Sequence, residues 1–199
     1  PTGERGDFAS EMVDCFKVVL DYDKGIGELY LSEGYYYAVY TGFDGESYRC
    51  GLLRSKDLLD WEKQGMILDT GKEGEFDAGS AGAGIAFKWQ DKFYMFYTGF
   101  PFKGYENGPG KIGLALSDDI FSWKKLGVIL EPEDEFPWEA GGLYQPFPLL
   151  YGADFYLFYN AKNKETNWTE QIGVALSQNS QLLKWEKYKD NPILPVGSQ

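Results

Sequence analysis

The chain contains no histidine. A Ser-His-Asp or Cys-His catalytic site therefore cannot be built from these residues, and a histidine-ligated zinc site is excluded as well. Cysteine is scarce, since Cys15 and Cys50 are the two present and they form no CxxC motif. This favours two ordinary buried thiols, with a single bridge between them as the alternative. Any chemistry would have to come from carboxylates, tyrosines, lysines or the few arginines.

Long apolar runs and excess positive charge are absent too. No run approaches the roughly 18 apolar residues of a membrane-spanning helix. The formal net charge is −12, which disfavours nucleic acids and anionic membranes as partners because both bind basic surfaces. The glycine-rich stretch "AGSAGAG" (78–84) lacks the GxxxxGK[ST] spacing of a phosphate-binding loop and precedes a predicted strand instead of a helix. We therefore expect no cofactor and no metal site, and neither a nucleic acid nor a membrane as partner.

Aromatic residues and glycine are abundant. Phe, Trp and Tyr make up 18% of the chain, which also contains 25 Gly and 9 Pro. Aromatic residues favour strands, whereas Gly and Pro favour the turns between them. The composition therefore predicts an all-β domain.

The sequence repeats itself. The aromatic run "KFYMFYTG" (92–99) recurs as "DFYLFYNA" (154–161) and, earlier, as "YYYAVYTG" (35–42). The next phrase, "KIGLALSDD" (111–119), recurs as "QIGVALSQN" (171–179). The tryptophans that begin the last phrase of each unit are spaced 62 residues apart: Trp61, Trp123 and Trp185. Such long matches at similar spacings indicate duplicated structural units.

Each unit contains the pattern of four short strands. Aromatic and β-branched residues bounded by Gly, Asp and Asn are typical of strands, and the units span about 14–68, 69–130 and 131–194. A four-stranded unit cannot bury both faces alone, so stacked units are expected to form the blades of a propeller. We predict one partial β-propeller domain over residues 1–199, with about three four-stranded blades.

The phrase "EAGGLYQP" (139–146) places an acid, a glycine and a proline ahead of an aromatic strand. Together with the "FYMFYTG", "IGLALSDD" and Trp-x-Lys phrases, it resembles the five-bladed propeller glycosidases, a superfamily that includes arabinanases, β-xylosidases, invertase, levansucrase and mannoside phosphorylases. The resemblance implies one acid at the start of the innermost strand of successive blades, pointing into the axial funnel. The "RDP" motif of invertase-like members is absent, and "YQP" (144–146) stands nearest to it.

Asp77 and Glu139 are the candidate catalytic pair, because both follow an aromatic residue in the same register. Glycosidic cleavage needs one protonated carboxyl and one carboxylate that acts as base or nucleophile. We predict Glu139 as the general acid, since Trp138 and the apolar segment after it would desolvate it. Asp77 would stay ionised as base, nucleophile or orienting partner. The resemblance implies a third carboxylate in the first blade, either Asp21 or Asp14.

The predicted substrate-binding residues lie beside these acids or in loops. Aromatic rings stack on the apolar faces of sugars, while polar neighbours bind hydroxyl groups. The candidates are Phe100, Trp138, Tyr144, Gln145 and Trp168. Packing between blades is the alternative role for each aromatic residue. The tyrosines of the second strands, including Tyr97 and Tyr159, are assigned to the core.

The predicted function is a glycoside hydrolase, or part of one, that cleaves oligosaccharides. The alternatives are a non-catalytic carbohydrate-binding propeller and a glycoside phosphorylase, which would need a cationic phosphate pocket. Three blades form an open arc with exposed strand edges and faces, which proteins normally avoid. We therefore expect the chain to be a fragment, or to associate with a second chain that completes the ring.

Overall fold

The computed structural model describes residues 7–163, 169–177 and 182–197, and it confirms the all-β prediction. One 3-10 turn, Pro137–Glu139, interrupts the described strands. No helix in these ranges is long or apolar enough to cross a membrane. The described strands are Met12–Val18 (β1), Leu20–Asp21 (β2), Leu31–Ser32 (β3), Tyr35–Phe43 (β4), Tyr48–Ser55 (β5), Glu62–Leu68 (β6), Ser80–Trp89 (β7), Lys92–Phe100 (β8), Lys111–Ser117 (β9), Lys124–Leu130 (β10), Gly142–Tyr151 (β11), Asp154–Lys162 (β12), Glu170–Ser177 (β13) and Glu186–Lys187 (β14).

The strands form three antiparallel blades. The first blade has the order β1-β4-β5-β6 with β3 beside β4, the second has β7-β8-β9-β10, and the third has β11-β12-β13-β14. The short β2 leaves the first blade and pairs in parallel with β7 of the second. Between the second and third blades, the Leu143 N–H donates to the Gly110 carbonyl at 2.9 Å.

The core lies between the blades. Val39, Leu52 and Met95 pack between the first and second blades, and all three are fully buried. Phe87 and Phe155 pack 5.4 Å apart at the junction with the third blade. The aromatic runs are therefore repeated because each blade needs apolar side chains on a face that a neighbouring blade covers.

Each innermost strand carries a bulge at the same place. The register shifts after Asp14 in β1, after Gly82 in β7 and after Tyr144 in β11. The next residue in each strand has a left-handed backbone: Cys15 with φ 52°, Ala83 with φ 51° and Gln145 with φ 50°. Bulges redirect side chains, and these three set the geometry of one cleft.

Candidate active site

Asp77 is fully buried and held by two residues of its own blade. The Tyr97 hydroxyl donates to its carboxylate at 3.0 Å, and Lys125 pairs with the same oxygen at 2.6 Å. Phe76 packs on the Tyr97 ring with centroids 5.8 Å apart. An aromatic residue, an acid, a tyrosine and a lysine thus form a compact cluster that closes one end of the blade.

Glu139 sits in the same arrangement one blade further on. Tyr159 donates to its carboxylate at 3.3 Å, Lys187 forms a buried ion pair with it, and Trp138 stacks on Tyr159. Every member follows its counterpart by 62 residues. Burial raises the pKa of Glu139 above its ordinary value, although Lys187 and the hydrogen bonds act in the opposite direction.

The first blade builds a related cluster from Asp7. Lys63, which precedes Lys125 by 62 residues, pairs with Asp7 at 3.2 Å. Phe8 packs on Tyr40 with centroids 5.6 Å apart. The Tyr40 hydroxyl is buried without a hydrogen-bond partner in the described parts of the chain. The acid that corresponds to Asp77 is therefore Asp7. The sequence repeat does not reveal it, because Asp7 precedes its aromatic neighbour Phe8 whereas Asp77 follows Phe76.

Asp21 lies in β2, away from these clusters. One of its carboxylate oxygens pairs with Lys24 at 3.2 Å, and the other is buried with no hydrogen bond from any described residue. The catalytic roles of Asp77, Glu139 and Asp21 remain predictions, and each of these carboxylates pairs with a lysine in the structure.

A cleft of about 180 Å³ opens at the three bulges. The residues that line it include Asp14, Cys15, Thr41, Tyr48, Gly82, Ala83, Thr98, Phe100, Tyr105, Glu106, Tyr144, Gln145, Asn160 and Glu170. Three predicted binding residues (Phe100, Tyr144 and Gln145) are brought together here. Four other predicted site residues are not part of the described lining: Asp21, Asp77, Trp138 and Glu139. Trp168 lies outside the described residues.

The cleft gathers one carboxylate from each blade region. Asp14 of the first blade is exposed and accepts the Cys15 N–H at 2.6 Å. Glu106, on the loop after β8, pairs with Lys162 at 3.1 Å. Glu170 at the start of β13 accepts from the Asn160 side chain at 3.3 Å. The described residues contain no cluster of three or more acids or cysteines that could hold a metal ion.

Aromatic rings form the walls of the cleft. The ring centroids of Tyr48 and Tyr105 lie 5.9 Å apart, and those of Phe100 and Tyr144 lie 5.8 Å apart. The Lys162 ammonium sits 4.5 Å above the Tyr144 ring. Rings beside carboxylates suit a sugar, whose apolar faces stack on aromatic surfaces while its hydroxyls bind polar groups.

Sequence reasoning missed most of the polar lining. Tyr105 and Glu106 belong to the loop "FPFKGYENGPG" (100–110), which shares no sequence pattern with the corresponding loop of the third unit, "KNKETNWTE" (162–170), so the repeat carried no signal for them. Asp14 appeared as one of two alternatives for the third carboxylate. Its place directly before a bulge residue is the feature that brings it to the cleft.

The fold is that of the five-bladed propeller glycoside hydrolases, which confirms the predicted superfamily. The family model for the glycosyl hydrolases family 32 N-terminal domain matches residues 83–199. The chain belongs to this family.

Individual proteins point to the same superfamily. The chain is 31% identical to a 1,2-β-oligomannan phosphorylase of Thermoanaerobacter sp. (strain X514), over 72% of this chain and 44% of that protein. It is 27% identical to a sucrose-6-phosphate hydrolase of Lactococcus lactis subsp. lactis, over 49% of this chain and 20% of that protein. The solved structure of a glycoside hydrolase superimposes with a TM-score of 0.75 at 23% identity, over 94% of this chain and 59% of that chain. The chain thus spans less than half the length of either curated relative.

Proposed function

We propose that this chain forms the substrate-binding and catalytic part of a glycoside hydrolase that acts on oligosaccharides. The observation that carries the proposal is the cleft at the three bulges, where Asp14, Glu106 and Glu170 face a space walled by aromatic rings. Membership of the family 32 N-terminal domain supports the same reaction class.

Asp14 is the proposed nucleophile or base of the reaction. Its side chain is exposed in the cleft and accepts a local hydrogen bond from the Cys15 N–H, so it is available to a bound substrate. Glu106 and Glu170 come from the other two blades and are the proposed sources of the proton for the leaving oxygen. The competing assignment, with Glu139 as acid and Asp77 as its partner, would require two buried ion pairs to open.

Turnover of a panel of aryl glycosides by three variants separates these assignments. Asp14→Asn should lower kcat by about 10²-fold or more while leaving the unfolding temperature unchanged. Asp77→Asn and Glu139→Gln should lower the unfolding temperature, because each leaves a lysine near a neutral side chain. If Glu139→Gln abolishes turnover in a fully stable protein and Asp14→Asn remains active, the assignment to Asp14 is wrong.

A glycoside phosphorylase is the second candidate, and the 31% identity to an oligomannan phosphorylase favours it. The lining of the cleft, however, includes three carboxylates. Two lysines that border it, Lys17 and Lys162, already contact Gln145 and Glu106, which suits a phosphate poorly. Reactions with and without inorganic phosphate decide between the two. Binding of oligosaccharide without turnover in either buffer would indicate the non-catalytic carbohydrate-binding alternative.

We also propose that a further segment, or a second chain, covers the outer face of the third blade. The exposed fractions of Phe147 and Tyr151 on β11 are 46% and 69%, while the equivalent innermost strand of the central blade, β7, has no exposed residue. Light scattering tests this proposal, because a chain of these 199 residues should associate as its concentration rises. A stable monomer of 22.6 kDa at all concentrations would contradict it.

A further inference from the structure

Lys17 of the first blade reaches both other blades. Its ammonium donates to the carbonyl oxygen of Ala83 at 3.2 Å and to the side-chain oxygen of Gln145 at 3.3 Å. Ala83 is the bulge residue of β7, and Gln145 is the bulge residue of β11. One side chain therefore links the points at which all three innermost strands change register.

The Gln145 amide completes this link. Its nitrogen donates to the sulfur of Cys15, the bulge residue of β1, at 3.0 Å. The amide oxygen accepts a hydrogen bond from Lys17 and the amide nitrogen donates one to Cys15, so both polar atoms of the Gln145 side chain bind residues of β1. The bulge of the third blade is thus held by two residues of the first.

The Ala83 peptide is held in a similar way. Its N–H donates to the Thr41 hydroxyl at 2.8 Å, and its carbonyl accepts from Lys17. Both partners belong to the first blade. A non-glycine residue in the left-handed region costs free energy, and these contacts on either side of Ala83 stabilise that conformation.

We propose that Lys17 is a positioning residue that holds the three bulges in register and thereby fixes the floor of the cleft on which Asp14 stands. The structural part of this proposal depends on the contacts alone. Its consequence for catalysis rests on the proposed function.

The charge of Lys17 is sensitive to its surroundings. Burial lowers the pKa of its ammonium, while Cys15, Cys50 and Asp14 oppose that change. As pH rises through the lowered pKa, the ammonium loses its charge and its two hydrogen bonds weaken. An arginine at this position would keep its charge throughout that range.

Alkylation of Cys15 by iodoacetamide tests the positioning role without any assay of activity. Cys15 is half-buried, whereas Cys50 is fully buried and reports on global unfolding. Rates followed from neutral to alkaline pH separate the pKa of Cys15 from its accessibility. Lys17→Met should raise the limiting alkylation rate of Cys15 about tenfold, because a hydrogen bond to a charged group contributes roughly that factor. Loss of charge alone would have the opposite effect at neutral pH, since Lys17 lowers the pKa of Cys15.

Lys17→Arg should restore most of the protection, and Lys92→Met, which removes an exposed lysine at the start of β8, serves as the matched control. An unchanged Cys15 rate in Lys17→Met, with Cys50 still protected, overturns the proposal. If Lys17→Met exposes both cysteines through unfolding, Gln145→Leu decides instead. That variant removes both links to β1, so it must increase Cys15 alkylation for the proposal to stand.

The catalytic consequence is measured separately. Lys17→Met should lower kcat more than it raises KM, and Lys17→Arg should extend the alkaline limb of the pH profile. Protection of Cys15 that depends on Lys17, in a protein without glycosidase or phosphorylase activity, would refute the proposed function and leave the positioning role standing. Activity that is unaffected by Lys17→Met would refute the catalytic consequence.

Discussion

A buried carboxylate is stable when it carries a proton or faces a cation. Asp77 and Glu139 each face a lysine of their own blade, and each accepts a hydrogen bond from a fully buried tyrosine. At the scale of single residues, each acid therefore links the start of the first strand of its blade to a tyrosine of the second strand and a lysine of the outermost strand.

Lys125→Met should therefore destabilise the protein strongly. It leaves the Asp77 carboxylate, 1% exposed, without its cation, and breaking a buried pair in this way costs about 3 kcal/mol. Urea unfolding measures the effect, with Lys124→Met on the exposed neighbouring position as the control. The double variant Asp77→Asn with Lys125→Met should recover part of the loss. A single variant within about 0.5 kcal/mol of the wild type would show that the pair contributes nothing.

The pH dependence of stability should reveal Glu139. Because its folded pKa is raised above the ordinary 4.5, the folded state binds the proton more tightly than the unfolded state does. The stability contributed by this proton is fully present below the ordinary pKa and is lost as pH rises through the folded pKa. The difference in the free energy of unfolding between wild type and Glu139→Gln should therefore shrink as pH rises above 4.5. A flat difference over that range would contradict the raised pKa.

At the scale of elements, glycine in the third strand lets two rings approach the backbone. A Cβ on Gly113 would lie 2.6 Å from Phe76 and 2.7 Å from Tyr97. The equivalent Gly51 meets Tyr40 and Phe8, and Gly173 meets Tyr159 and Trp138. This contact explains why "IGLALS" and its relatives carry glycine at the same place in a strand, where glycine is otherwise unfavourable.

Gly113→Ala should cost about 1–3 kcal/mol, the usual range for overpacking a filled core. The added methyl would push Phe76 and Tyr97 apart and strain the Tyr97–Asp77 hydrogen bond with them. Thermal unfolding measures the loss, and Lys124→Ala on the exposed surface of β10 is the control. An unchanged midpoint would mean that Phe76 and Tyr97 can move to accommodate the methyl group, and that the packing around Asp77 is not tight.

The elements also mark the limit of prediction from the sequence. The apolar phrases "GIAFKW" (84–89) and "PFPLLY" (146–151) predict inner strands over those residues, yet the strands begin at Ser80 and Gly142. Ala83 and Gln145 have the left-handed backbone of the bulges, and neither residue type favours that conformation, which is usually occupied by glycine. The repeat therefore predicts the blades and their order. The cleft depends on the bulges and on the sequence of the loop that contains Tyr105 and Glu106, and neither follows from the repeat.

At the scale of the molecule, the blades are joined by residues that leave their own sheet. Tyr22 follows β2, its ring packs on Phe87 and Phe155, and its hydroxyl donates to the Pro148 carbonyl at 2.7 Å. One side chain from the connection after β1 therefore contacts both later blades. Burial raises its pKa to about 12.

Tyr22→Phe should lower the free energy of unfolding by about 1 kcal/mol, the net value of one hydrogen bond, and should leave a single cooperative transition. Tyr22→Ala should cost about 3–5 kcal/mol because it also removes the ring from the core. Hydrogen exchange should show weaker protection in β7 and β11 together. Loss of protection in one blade alone would show that the blades unfold independently.

The pairing of β2 with β7 decides where this chain can be cut and recombined. Leu20 and Asp21 complete the second sheet, and Asp23 caps the turn after β7 by accepting the N–H groups of Gln90 and Asp91 at 2.6 and 3.1 Å. The blades are therefore not interchangeable cassettes, although their sequences repeat. A graft that exchanged the second blade at its apparent boundaries would leave behind the segment that finishes its edge, and residues 20–23 would have to travel with it.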